Sequence, residues 1–148
     1  MRVVFPAIAI LPLALLSACG HENPVGPGAL NSTDALVGAL KSQGATVTRG
    51  EVLSMALPCW SVSGQVLLVN SASVNVFEYP TAAAAERDAS KVAPDASGIT
   101  GEQCAAKITW VGPPHFYKRD QVIVVYAGSD EAVLRPIETV LGKPFASR

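Results

Sequence analysis

The chain has 148 residues, with 11 Lys or Arg against 12 Asp or Glu and a formal charge of −1. That length supports one domain with a real core and is too short for two. With charge so nearly balanced and no stripe of Lys and Arg, the composition argues against a nucleic-acid partner, because neutralising phosphates takes clustered cations.

Met1 and Arg2 form a minimal positive start, and Val3 to Leu16 carry no charge, which is the architecture of a secretory signal. The run ends in Leu16, Ser17, Ala18 and Cys19, a tetrapeptide that resembles the bacterial lipobox. The resemblance implies diacylglycerol on the Cys19 thiol and cleavage just before it, so that residues 1–18 are a lipoprotein signal peptide. A permanent transmembrane helix competes poorly, since the run is short of the roughly 20 residues a span needs and contains Pro6 and Pro12. An ordinary signal peptide with an incidental cysteine is the other alternative. Buried acyl CH₂ groups contribute about 0.8 kcal/mol each, so two or more chains hold a protein on its membrane where one does not. Gly20, not Asp, follows the cysteine. In a double-membraned cell that points to the outer membrane facing the periplasm, and otherwise to the outer face of the cell membrane.

Residues 19–31 read as the lipidated cysteine and a flexible tether, because Pro24, Gly26, Pro27 and Gly28 sustain neither helix nor strand. About ten residues of partly extended chain reach roughly 20 to 30 Å, enough to lift a domain clear of the headgroups. Removing the signal takes away only Arg2 and leaves ten basic and twelve acidic residues, a charge of −2. The remaining cysteines, Cys59 and Cys104, then stand in a disulfide-permissive compartment and are predicted to pair, the alternative being two buried free thiols. No CxxC is present and neither histidine lies near a cysteine in sequence, so no metal and no cofactor is expected.

The single folded domain is predicted over residues 32–148. Ser32 or Thr33 caps a helix with Leu36, Val37 and Leu40 on one face and a stop at Gly44. Ala45 to Thr48 reads as a short strand, and Gly50 to Pro58 as an irregular strand or loop. Gln65 to Val69 and Ser73 to Tyr79 flank a turn and predict a hairpin. An alanine-rich helix follows, with Ala82, Ala85, Ala89 and Val92 on one face and Glu86, Arg87, Asp88 and Lys91 pointing to water. Ala106 to Val111 and Gln121 to Tyr126 predict two further strands, and Ser129 starts a helix with Val133, Leu134, Ile137, Val140 and Leu141 on its apolar face. Pro136 disagrees with that helix and predicts either a kink or a start near Arg135. The order αβ, ββα, ββα gives an α+β domain with one antiparallel sheet and helices packed on it. What covers the other face of the sheet is left open, with Trp60, Phe77, Tyr79 and Trp110 as candidates.

Catalytic patterns are scarce: the chain contains no GxSxG, SxxK, HExxH, P-loop or GxGxxG. A thiol nucleophile from Cys59 or Cys104 with His115 is conceivable only if the disulfide is absent. Asp130 with Glu131, and Glu86 with Asp88, are explained by a helix dipole and a solvated face. The unusual stretch is Trp110 to Asp120, where Pro113 and Pro114 interrupt an extended run and His115, Phe116 and Tyr117 follow at once. Trp110, His115, Phe116 and Tyr117 are therefore the candidate binding residues, since rigid rings give large contact area at low entropic cost. The competing reading has Phe116 and Tyr117 alternate between core and sheet surface, with Lys118 to Asp120 as a plain hairpin tip.

The same residues carry a resemblance. Trp110 and Val111, then Pro113 to Tyr117, Val122 to Val124, Tyr126 and Gly128, with the Val76 to Tyr79 strand and the alanine-rich helix, resemble a group of small bacterial lipoproteins and secreted proteins. The resemblance implies a domain type and brings no reaction with it. The expected function is a membrane-anchored envelope lipoprotein with a non-catalytic binding module for an envelope protein or cell-wall polymer. The alternatives are an accessory lipoprotein without a discrete ligand, and a small hydrolase or redox protein.

Overall fold

The computed structural model describes residues 28–50 and 57–148. The signal, Cys19, the tether as far as Pro27 and most of the Gly50 to Pro58 run lie outside the described residues. Ser32 opens helix α1 (Thr33–Ser42): its Oγ accepts from the Ala35 amide, and Gly44 at φ +83 ends the turn after Gln43. Strand β1 (Val47–Arg49) follows, then the hairpin of β2 (Gly64–Val69) and β3 (Ala72–Glu78). Asn70 and Ser71 join those two strands with φ +49 and +73, the doubly positive geometry that matches a tight turn to strand twist.

Helix α2 (Ala82–Ala89) is capped by Thr81, and the next hairpin is a departure from the expected plan. Strand β4 (Gly98–Gly101) pairs with β5 (Cys104–Lys107) in a separate two-stranded sheet. The run predicted as a strand over Ala106 to Val111 thus ends at Lys107 and belongs to another sheet. The main sheet takes instead β6 (Pro114–Arg119) and β7 (Val122–Ala127), followed by α3 (Glu131–Leu141) and the short β8 (Ala146–Ser147). Pro114 does not interrupt this strand. It is its first residue, where a missing N–H removes no necessary ladder bond, and it sits opposite Ala127.

The main sheet is antiparallel throughout, in the order β1-β2-β3-β7-β6-β8. Its two hairpins meet through their second strands, with Val76 opposite Val124 and Phe77 opposite Ile123. Both faces are covered. On one face α1 and α3 bury Leu36, Leu40, Val133 and Ile137 against Val74, Val76, Tyr117, Val122 and Val124. On the other, α2, the β4–β5 hairpin and Trp60 bury Phe77, Phe116, Ile123 and Val125. The two ββα units repeat in sequence, yet their helices cross to opposite faces. Gly64 stands opposite Phe77, where any Cβ would come within 2.7 Å of the ring, so the position belongs to glycine.

Pro136 lies inside α3, which runs through it from Glu131 to Leu141 and starts from the Asp130 cap rather than from Arg135. The proline cannot donate to the Ala132 carbonyl one turn back. That oxygen is taken by Asn70, whose Nδ2 donates to it at 2.7 Å while Oδ1 accepts from the Thr46 amide at 2.8 Å. One turn residue thereby repairs the helix and holds the approach to β1. Asn70→Asp keeps the acceptor and loses the donor, leaving two oxygens facing each other. It should destabilise the domain by about 1 to 3 kcal/mol, read by denaturant melts, whereas Asn70→Gly should lose the bonds without the repulsion.

The predicted disulfide is present: Cys59 and Cys104 are bonded with Cα atoms 5.5 Å apart and a sequence separation of 45. It ties the chain before β2 to the start of β5. A loop of that length contributes about 4 kcal/mol in the chain-entropy picture. The Cys59→Ala, Cys104→Ala double variant should lose most of that in urea melts. Reductant should bring the wild-type protein to the same midpoint.

Candidate functional site

The four candidate binding residues separate by burial. Phe116 and Tyr117 are each 0% exposed and point to opposite faces of the sheet. Phe116 packs edge-on against Trp60, Trp110 and Phe145, with centroids 6.1, 5.4 and 6.0 Å away. Tyr117 lies under α3, where its hydroxyl donates to Glu138 Oε1 at 3.3 Å. A contact patch built from these rings is therefore corrected to a core assignment: strand alternation sends the two rings to opposite faces of β6, and α3 covers one face while Trp60 and the layer around it cover the other.

His115 and Trp110 stay half-buried. The His115 ring lies nearly parallel to Tyr117 on its own strand and to Tyr126 directly opposite, both at 6.4 Å between centroids. Its Nε2 is 3.1 Å from the Gly128 carbonyl oxygen, and since a carbonyl only accepts, this nitrogen carries the proton. A Cβ on Gly128 would come within 2.4 Å of the Tyr126 hydroxyl, so the Tyr126 ring lies over the bare backbone there. Trp110 donates from Nε1 to the Ala96 carbonyl at 2.7 Å, which fixes the ring at the edge of the core. The next residue, Val111, is 100% exposed, and Pro113 beside it is exposed too.

Sequence reading missed a polar cluster. Asp88, expected to face water, is 2% exposed. Its Oδ2 accepts from the Ser61 amide at 2.6 Å and the Ser61 hydroxyl at 2.8 Å, and its Oδ1 from Lys91 at 2.7 Å. Lys91 also donates to the Cys59 carbonyl at 2.8 Å. The signal was available: Ala84, Ala85, Asp88, Ala89 and Val92 are one helical face, and Asp88 stands in the middle of it, whereas Ala82 is exposed. Burial by itself would raise the Asp88 carboxyl, but the bonds from Lys91 and Ser61 together outweigh it and hold the group below its usual value. Such a carboxylate is a weak base, and both its oxygens are taken. The arrangement clasps the Cys59 to Ser61 turn onto α2 and is poorly suited to activating the serine.

The root of the tether is fixed as well. Leu30 donates its amide to Asp120 Oδ2 at 2.8 Å and accepts from the Gln121 amide at 3.1 Å, so the chain joins the domain at the β6–β7 turn. The loop bearing Trp110 and Val111 is held at the other end of those strands, where Gly128 donates to the Pro113 carbonyl. Among the described residues no group of three His, Cys, Asp or Glu stands close enough to hold a metal, and no helix is long and apolar enough to cross a membrane. No family model, no curated protein and no solved structure matches the chain.

These environments set a pH dependence. The folded Asp88 carboxyl titrates below the roughly 3.9 of an unfolded chain, so its stabilisation is complete above that value and is lost as pH falls through the folded one. Burial first, and then the Asp88 and Glu138 carboxylates respectively, push the Tyr79 and Tyr117 phenols up. Their contribution is complete below about pH 10 and is lost above it. Thermal melts should therefore fall at both extremes. Asp88→Asn should flatten the acid limb, and ultraviolet tyrosinate absorbance from Tyr79 and Tyr117 should emerge only with unfolding.

Proposed function

We propose that this protein is a lipid-anchored component of the bacterial cell envelope, tethered through Cys19, whose domain is a binding module for another envelope protein. The observation that carries this reading is the relation between tether root and exposed loop. The chain enters at the Asp120 turn, and the Trp110 to Pro113 loop lies at the opposite end of β6, a strand of six residues and about 17 Å. Anchored at one end, the domain holds that loop away from the bilayer. Val111 and Pro113 expose apolar surface beside a Trp110 ring that is already fixed by its bond to Ala96, so little order is lost on contact. An apolar knob of this kind matches a pocket on a protein better than a hydrated cell-wall polymer.

The accessory reading, without a discrete ligand, draws support from the burial of Phe116 and Tyr117, which removes two of the rings a larger patch would use. One experiment separates the two. Cells expressing the full chain are fed a labelled fatty acid, and neighbours are captured by crosslinking before gentle solubilisation. Wild-type protein should carry the label and yield a defined partner, while Cys19→Ser should be unlabelled and released from the membrane. Val111→Asp should keep label and melting temperature, since a fully exposed substitution costs within about 0.5 kcal/mol, and should reduce capture several-fold. Equal capture by Val111→Asp would remove the loop from the interface, and an unlabelled wild-type protein would remove the anchor.

A further inference from the structure

Where the tether meets the domain, α1 and α3 do not close completely. Between them runs a groove of about 470 Å³, within the range of small-molecule sites. Ala35, Gly38, Ala39 and Ser42 line it from α1 and Thr139 and Val140 from α3, with Leu30 and Gln43 beside them. Leu30 and Val140 are buried, and the surface they leave with the alanines is mostly carbon. With side chains this small along it, a groove of that volume can hold a polymethylene chain.

The chain itself supplies such an occupant. Gly28 and Ala29, the first described residues, line the groove, and Cys19 lies nine positions before Gly28. Nine residues span at most about 30 Å, so the lipid on Cys19 reaches any point along the slot, and the short tether keeps it at high local concentration. We propose that the α1–α3 groove takes one acyl chain of the Cys19 lipid, folded back over the tether. The inference rests on the lipoprotein reading above. The groove would cover one chain whenever the protein is off the bilayer, leaving fewer chains to hold it there and so easing transfer between membranes.

The test uses the full chain in growing cells fed a photoactivatable fatty acid. The protein is purified in detergent, its lipid mass measured, and the adducts mapped after illumination. The expected product joins the Cys19 peptide through its own acyl chain to residues of the groove in α1 or α3. Gly38→Trp fills the slot, and nothing lies within 4 Å of a Cβ there, so the helix should tolerate it. That variant should lose the crosslink several-fold at an unchanged melting temperature, and Thr139→Trp should do the same from the other wall. A lipidated protein whose adducts lie elsewhere, or whose groove carries only phospholipid adducts, overturns the groove and leaves the anchor standing. A protein without lipid mass overturns both.

Discussion

The pairing of β3 with β7 at the centre of the sheet is the contact on which the other layers depend. β7 is apolar on both faces and buried from Val122 to Tyr126 without a break, and β3 sets Val74 and Val76 on one face and Phe77 on the other. A strand of that kind cannot face water on either side, so the sheet must be covered twice. The helices of the two ββα units answer this by taking opposite faces, with α1 added to one side and the β4–β5 hairpin and Trp60 to the other. Full coverage is what turns Phe116 and Tyr117 into core residues.

Two local conflicts are resolved by groups distant in sequence. A proline inside α3 leaves a carbonyl without its helical donor, and a turn asparagine 62 residues away supplies one. A carboxylate on the buried face of α2 would be costly alone, and Ser61 and Lys91 satisfy it while fixing the turn that carries Cys59. The disulfide closes the same region from the side of β5. The Asp88 cluster and the disulfide lie where the small sheet and the loop before β2 meet the core, and the Asn70 bond lies on the other face, at the start of α3. They are architectural: with both Asp88 oxygens already accepting, the cluster offers no free base.

The two ends of the molecule present different surfaces. At the Asp120 end the chain continues toward Cys19 and a carbon-lined slot opens; at the Gly128 end a fixed tryptophan and an exposed valine face outward. The proposed anchor and the proposed contact loop are thus separated by the length of the central strands. Under that proposal the domain is a spacer as well as a surface.

The sequence alone carries the α+β class, the three helices, the first hairpin and a cap at Ser32 or Thr33, because these follow from short-range periodicity and hydrogen bonding to the nearest amides. It also made the Cys59–Cys104 pair legible, since two cysteines admit one bridge. Only the tertiary structure decided which strands share a sheet: the β4–β5 hairpin is built from small residues and glycine whose pattern carries little signal, and β6 begins at a proline that reads locally as a break. It alone decided that Asp88 is buried and that α3 runs through Pro136, because the partners that make each tolerable come from elsewhere in the chain. The fate of the Phe116 and Tyr117 rings belongs there too, since the alternation of a strand says that its two sides differ, and only the layers packed on them say whether either side meets water.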